Sequence, residues 1–209
     1  IFSVKLYSTL TSPYGRIARI VRSVKRLEER VMFEPIQTRG VDNPYYGINP
    51  SGRVPALILD DGTVLEDSPL VSWYLDNLDG APTLHPAEGM SGLHQRRLEA
   101  VARSMLDGLS LWGREYLYRE AEIRSDTIMA HEKARALRLA DVLENEVEGE
   151  VLTGPLNMAQ IILACTLHGR KNDSPRGFLW QDERPKLCAW VETLGAMTPF
   201  SETLPPPRT

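Results

Sequence analysis

Apolar residues follow two different periods along this chain, and the change comes near residue 80. Before it, short apolar segments typical of strands alternate with polar turns and with helical patterns. After about residue 90, every apolar pattern has the spacing of a helix. The pattern predicts an α/β domain over residues 1–80, a linker over 81–91 and an all-helical domain over 92–209.

The first half has four strand patterns, and the spacing places them at residues 4–7, 31–35, 55–59 and 63–65. Asp60-Asp61-Gly62, between the last two, is a strong hairpin signal. Ser12-Pro13 and Ser68-Pro69 each place a capping side chain before a proline, which predicts helices running to about residues 30 and 78. With a further helix before the third strand, the predicted order is β-α-β-α-β-β-α.

The second half contains several helical patterns. Residues 158–167 are apolar nearly all round, which predicts a fully buried helix. Further helices are predicted around 136–147 and 186–194. Another apolar stripe has helical spacing and comprises Leu98, Ala102, Met105, Leu109, Trp112 and Tyr116. Any ligand cleft is expected where the two halves meet, because clefts form preferentially between domains.

Composition and charge narrow the class of protein. The 209 residues are 42% hydrophobic and 25% charged, as in ordinary globular proteins, which excludes a disordered or collagen-like chain. The net charge of −4 argues against a basic nucleic-acid partner. We therefore interpret a run of arginines on the first helix as a solvated or dimer-facing surface: Arg16, Arg19, Arg22, Arg26 and Arg30.

The sequence also argues against a membrane partner, a metal site and secretion. It has no apolar run near 18 residues and no zinc-type spacing of cysteine and histidine. Cys165 and Cys188 stand in apolar contexts and are expected to be buried free thiols. The first residues are typical of a strand and not of a signal peptide, so we expect a cytoplasmic protein.

Three segments of the first half carry polar groups where a ligand could bind. Ser12 precedes a helix N-terminus, where its hydroxyl could donate to an anion. Pro55 opens a strand, where a cis bond is tolerated and would leave the Val54 backbone free to pair with a peptide-like ligand. Asp67 and Ser68 precede a second helix, where they could hold an ammonium group and a carboxylate.

Each of these segments also has a plain structural interpretation. The polar side chains could simply cap their helices, and Pro55 could be an ordinary trans proline opening an edge strand. One segment alone does not discriminate between the two interpretations. The three in this order, within one α/β domain, are far more specific.

Together the segments resemble the cytosolic glutathione S-transferase family, of the bacterial type with a serine at the thiol-activating position. Ser12-Pro13-Tyr14 is similar to that position, and residues 49–57, Asn-Pro-Ser-Gly-Arg-Val-Pro-Ala-Leu, are similar to the family's cis-proline segment. Asp67-Ser68 is similar to its acidic-serine motif, although glutamate is usual in place of Asp67. In the second half, residues 157–161 resemble the capped helix of the family's helical domain, with Gln160 in place of the usual aspartate and able to reach back to the N–H of Asn157.

The resemblance implies a thioredoxin-like N-terminal domain followed by a C-terminal all-helical bundle, glutathione as cosubstrate, no metal and a homodimer. It implies that Ser12 is catalytic and activates the glutathione thiolate for attack on a hydrophobic electrophile, as in detoxification. The glutathione-binding residues it implies are Arg53, Val54, Pro55, Asp67 and Ser68. The electrophile is expected against Met105, Leu109, Trp112 and Tyr116, although this stripe could equally be interdomain core.

Two other functions are compatible with this fold. One is a glutathione-dependent reductase or dehalogenase, and the other is a non-enzymatic binding or regulatory protein. A serine hydroxyl cannot form a mixed disulfide and the sequence has no Cys-x-x-Cys motif, which argues against thiol-exchange chemistry. The three intact segments argue against an inactive scaffold.

Overall fold

The computed structural model describes residues 4–170 and 178–206, and its contacts divide the chain into two compact units. One unit comprises Ile1–His85 together with Met197–Thr209, and the other comprises Pro86–Ala196. The chain end from Met197 thus groups with the N-terminal segment, whereas the sequence analysis kept it with the helical domain. The predicted linker over residues 81–91 stays a prediction.

A mixed sheet lies at the centre of the first unit. Its strands are β1 (Val4–Ser8), β2 (Val31–Pro35), β3 (Ala56–Ile58) and β4 (Val64–Glu66), in the order β2-β1-β3-β4. β1 pairs parallel with β2 and antiparallel with β3, and β3 pairs antiparallel with β4. The four predicted strands are confirmed, with ends that shift by at most one residue.

The helices of the first unit are α1 (Pro13–Val24) and α2 (Ser68–Asn77), with the short α8 (Thr198–Ser201) near the chain end. α1 ends about six residues before its predicted end, because the chain turns at Arg26, whose φ is 52°. The helix predicted between β2 and β3 is wrong, since only a 3₁₀ turn, Pro44–Gly47, forms there.

One arginine of the basic run is buried, contrary to the sequence interpretation. The Arg16 guanidinium donates to the Phe200 carbonyl at 2.8 Å and to Thr203 Oγ1 at 3.2 Å. A buried guanidinium needs such acceptors to offset its loss of water. Arg16 therefore attaches the chain end to α1.

The second unit is helical throughout its described part. Its helices are α3 (Leu93–Tyr118), α4 (Asp126–Glu146), α5 (Glu150–Thr153), α6 (Met158–Leu167) and α7 (Pro185–Gly195). All ten residues of α6 are buried, which confirms the prediction from its apolar pattern. None of the described helices is long and apolar enough to cross a membrane.

Asn157 caps α6 by accepting from the Gln160 N–H at 3.1 Å. The prediction that Gln160 reaches back to the Asn157 N–H is wrong. Its side-chain amide donates instead to the Val151 carbonyl at 2.9 Å and to the Gly154 carbonyl at 3.2 Å, and so fixes the turn before the helix. Both cysteines are free thiols, and Cys165 is buried while Cys188 is half-buried.

A fully buried carboxylate, Asp76 near the end of α2, fixes the segment that follows the helix. Its oxygens accept from the N–H groups of Thr83 at 3.0 Å and His85 at 2.9 Å, and His85 Nδ1 lies 2.8 Å away. Lys25 Nζ lies 3.4 Å from the same carboxylate. Burial raises the pKa of Asp76, but the hydrogen bonds from His85 and the backbone outweigh it, so the net shift lowers the pKa.

We expect Asp76→Asn to lower the free energy of unfolding by about 2 kcal/mol at pH 7, because the N–H groups of Thr83 and His85 lose charge-assisted hydrogen bonds to the carboxylate. Since the pKa of Asp76 is lowered on folding, its contribution is complete above the unfolded value, about 3.9. It is lost as the pH falls through the folded value. Urea unfolding of both proteins from pH 7 downward should therefore show their difference shrinking below about pH 4.

The matched control is Asp60→Asn, which removes an exposed carboxylate from the hairpin turn of the same unit. It should leave the unfolding free energy within about 0.5 kcal/mol of the original. An Asp76→Asn protein as stable as this control would contradict the role given to the buried carboxylate.

Candidate active site

The sheet register brings the three sequence segments to one edge of the first unit. Tyr7 of β1 lies opposite Ala56 of β3, and Ala56 lies opposite Glu66 of β4. Because both pairings are antiparallel, the end of β1, the start of β3 and the end of β4 are neighbours. The segments attached at these points contain Ser12, Val54-Pro55 and Asp67-Ser68.

Ser12 caps α1, as its position predicts. Its Oγ accepts from the Gly15 N–H at 3.1 Å, and its own N–H donates to Thr9 Oγ1 at 3.1 Å. The hydroxyl proton of Ser12 is donated to no described residue. Capping uses a lone pair of the oxygen, so the side chain keeps a donor beside the N-terminus of α1.

Glycine is needed close to this cap. A Cβ at Gly15 would overlap the Ser8 side chain, so glycine allows the first turn of α1 to pack directly on the end of β1. This close approach sets the position of Ser12 relative to the sheet.

The peptide bond between Val54 and Pro55 is cis, which confirms that prediction. The carbonyl before it, that of Arg53, accepts from the Tyr45 hydroxyl at 2.7 Å and from Asn49 Nδ2 at 3.1 Å. In contrast, the N–H and C=O of Val54 have no hydrogen-bond partner among the described residues. Val54 therefore presents one backbone donor and one backbone acceptor at the sheet edge, next to an ordered carbonyl.

The acidic-serine segment differs from its sequence interpretation in one respect. Asp67, and not Ser68, is the N-cap of α2, and its Oδ1 accepts from the Ser68 N–H at 2.8 Å. Asp67 has a φ of 73°, a left-handed conformation that aspartate and asparagine tolerate better than most residues. Its carboxylate is exposed, while Ser68 is buried.

Glu66 is a site residue that the sequence analysis missed. Its carboxylate accepts from Asn49 Nδ2 at 3.0 Å and from the Ser51 hydroxyl. These hydrogen bonds, with that from Ser51 the larger cause, lower the pKa of Glu66. The contact joins the cis-proline segment to the residue directly before Asp67. No local pattern predicts it, because the strand pairing of β3 with β4 brings its partners together.

The expected electrophile residues all lie on α3 of the second unit. Met105, Leu109 and Trp112 are buried, and the Trp112 ring packs edge-on against Phe178 with centroids 5.8 Å apart. Tyr116 is half-buried and has the Arg124 guanidinium 4.5 Å from its ring centroid. The assignment of these four residues to a substrate site stays a prediction.

Two sequence comparisons bear on this arrangement. The sequence model of the family described as "Glutathione S-transferase, N-terminal domain" matches residues 11–78, which contain all three segments. An uncharacterised glutathione S-transferase-like protein of Escherichia coli K12, YibF, is 32% identical over 206 residues, covering 97% of this chain and 99% of that protein. The chain belongs to the glutathione S-transferase family.

Other members of the family are similar to this chain over nearly its whole length. Glutathione S-transferase Z2 of Arabidopsis thaliana is 27% identical over 213 residues, covering 97% of this chain and 91% of its own. A glutathione transferase family member from Pseudomonas fluorescens Pf-5, solved with bound glutathione, matches with a TM-score of 0.87 and 28% identity, over 98% of this chain and all of that one. The predicted fold class, a thioredoxin-like unit followed by a helical one, is confirmed.

Proposed function

We propose that this protein is a glutathione transferase, in which Ser12 activates the thiolate of glutathione for attack on a hydrophobic electrophile. The observation that carries the proposal is the unpaired N–H and C=O of Val54, which lie on the same sheet edge as Ser12 and Asp67. An extended peptide can hydrogen-bond to such unpaired backbone groups as an added strand would. The bound glutathione of the Pseudomonas relative supports a peptide of this kind.

Each part of glutathione has a complementary group in the proposed site. The Val54 backbone pairs with the cysteinyl residue, the Asp67 carboxylate holds the γ-glutamyl ammonium group, and Ser68 with the N-terminus of α2 takes the γ-glutamyl carboxylate. Arg53 is exposed directly before Val54 and offers a cation to a ligand of net negative charge. Pro55 is buried and shapes the turn that presents Val54.

The hydroxyl of Ser12 is proposed to donate a hydrogen bond to the sulfur. A thiol of pKa about 8.5 is roughly 3% ionised at pH 7, and lowering the pKa to about 6.5 ionises roughly three quarters of it. That change requires about 2.7 kcal/mol of differential stabilisation. One hydrogen bond to a charged group supplies about 1.5–3 kcal/mol, and the N-terminus of α1 adds about 0.3–1 kcal/mol.

Ionisation accounts for only part of the rate. The thiolate forms a C–S bond with the electrophilic carbon, and the leaving group departs with its electron pair. If nucleophilicity falls with pKa as it does in thiol exchange, a 25-fold gain in thiolate loses roughly eightfold in reactivity. Holding the electrophile near the sulfur must then supply most of the acceleration, and the stripe on α3 is the proposed place.

We expect Ser12→Ala to raise the pKa of the bound thiol by about 1–2, because it removes one charge-assisted hydrogen bond. Turnover of a chloroaromatic substrate at pH 7 should fall several-fold while the glutathione KM changes little, since the lost contact is to sulfur. Ultraviolet absorbance of the thiolate during a pH titration measures the first effect, and steady-state kinetics measures the second.

Ser125→Ala is the matched control, because Ser125 caps α4 in the same way, accepting from the Ile128 N–H at 3.3 Å. Both variants should lose about 1 kcal/mol of stability, but only Ser12→Ala should change the thiol titration. An unchanged titration and turnover in Ser12→Ala would show that Ser12 is a cap alone. Glutathione binding without turnover of any electrophile would favour the non-enzymatic alternative.

We expect Asp67→Asn to raise the glutathione KM by about tenfold to a hundredfold, because the ammonium group loses a charge-assisted hydrogen bond. Asparagine tolerates the positive φ and can still accept from the Ser68 N–H, so the cap of α2 is kept. Asp60→Asn, which removes an exposed carboxylate of the hairpin, serves as control. A glutathione KM equal to that of the control would show that Asp67 does not bind glutathione.

A homodimer is also part of the proposal. Leu70 and Trp73 are 44% and 52% exposed and lie one turn apart on α2, and Val64 of β4 is 37% exposed. Exposed apolar groups in one region are typical of an interaction surface. We expect light scattering to report twice the chain mass of 23.5 kDa, and Trp73→Glu to reduce it to the mass of one chain.

Met90→Glu is the control for this experiment, since Met90 is 78% exposed in the other unit and should leave the dimer intact. A single-chain mass for the unsubstituted protein at micromolar concentration would reject the homodimer. A dimer that persists in the Trp73→Glu protein would show that Trp73 does not lie in the interface.

A further inference from the structure

A cavity of about 550 Å³ lies between the end of β2 and the 3₁₀ turn of the first unit. Its lining includes Tyr7, Glu34, Ile36, Asp42, Tyr45 and Ile48, and no residue proposed to bind glutathione. This volume is within the range of small-molecule sites.

The sheet and its side-chain contacts build the floor of this cavity. Tyr7 of β1 is in register with Glu34 of β2, so both side chains project from the same face of the sheet. The Tyr45 ring lies 6.1 Å from the Tyr7 ring, and its hydroxyl is held by the Arg53 carbonyl. The floor is therefore aromatic and fixed in position.

Three polar groups of the lining are left without partners. Within residues 4–170 and 178–206, no hydrogen bond or ion pair is formed by the carboxylate of half-buried Glu34 or by that of exposed Asp42. The Tyr7 side chain is only 7% exposed, yet no described residue hydrogen-bonds to its hydroxyl. The hydroxyl is not among the fully buried polar atoms that lack a partner, so it opens onto the cavity, where it can donate to or accept from a ligand.

The charge of the lining selects the class of ligand. The described residues that line the cavity include two carboxylates and no lysine, arginine or histidine. Unpaired carboxylates beside aromatic rings attract a cation, through charge-assisted hydrogen bonds and through the negative ring faces. They repel glutathione, which carries more carboxylates than ammonium groups.

We propose that this cavity binds a small organic ammonium ion, with its apolar body on the two tyrosine rings and its N–H donors shared among Glu34, Asp42 and the Tyr7 hydroxyl. The site is separate from the proposed glutathione site and does not depend on the proposed function. Every residue of its lining belongs to the first unit.

The test is calorimetric and NMR titration of the full chain with benzylammonium chloride, against benzyl alcohol and sodium benzoate of similar shape. We expect saturable binding of the cation on the order of 1 mM, with amide shifts at Gly40 and Asn43 in the lining. The neutral alcohol should bind about tenfold to a hundredfold more weakly, and benzoate should not saturate.

The Glu34→Gln/Asp42→Asn double variant keeps the size of both side chains and should weaken the binding of benzylammonium by about tenfold or more. Glu29→Gln/Asp60→Asn, which removes two exposed carboxylates of the same unit outside the cavity, should bind the cation as the unsubstituted chain does. If the first double variant does not fold, each single substitution and Tyr7→Phe supply the same comparison.

Equal binding of cation and alcohol, or an affinity unchanged by the Glu34 and Asp42 substitutions, would overturn the proposal. Displacement of benzylammonium by glutathione would place both ligands in one site and would overturn it as well. A chain that binds benzylammonium but not glutathione would contradict the proposed function and leave this inference standing.

Discussion

The pairing of β3 on both of its sides is the constraint on which the rest of the site depends. This strand has only three residues, Ala56–Ile58, yet it joins β1 to β4 in antiparallel register. A shift by one residue would turn Ala56, which is fully buried, to the opposite face of the sheet. The register is thereby fixed, and with it the meeting of three segments that are more than 10 residues apart in sequence.

Side-chain contacts turn this shared edge into an ordered site. The Arg53 carbonyl is held by Tyr45 and Asn49, and Asn49 also donates to Glu66 beside Asp67. The backbone on either side of Val54 is thus fixed, while Val54 itself is left unpaired. Preorganisation of this kind lowers the conformational entropy that the protein loses when a ligand binds, so an unpaired donor and acceptor at a rigid position contribute more to affinity than the same groups on a mobile loop.

Sequence patterns predicted those parts of the fold that local chemistry determines. Alternation placed the four strands, Ser12-Pro13 placed the start of α1, and the continuous apolar run placed α6. What the patterns could not predict are two tertiary contacts. The burial of Arg16 depends on Phe200 and Thr203, and the contact of Glu66 depends on Asn49 and Ser51, all of them distant in sequence. The cavity beside Tyr7 escaped notice for the same reason, since only the β1–β2 register places Glu34 beside Tyr7.

The carboxylate of Glu66 is hydrogen-bonded, whereas those of Glu34 and Asp42 are not, and this difference bears on which ligands each can bind. Glu66 accepts two side-chain hydrogen bonds, which satisfy its charge and connect the end of β4 to the cis-proline segment. Glu34 and Asp42 have no such donors among the described residues, so their charge is available to a ligand. A cation is attracted where carboxylates are unsatisfied, whereas the proposed glutathione site offers an anionic peptide the neutral backbone of Val54, the hydroxyl of Ser12 and helix N-termini. The two proposed sites differ in the ligand charge they favour because their polar groups are satisfied to a different degree.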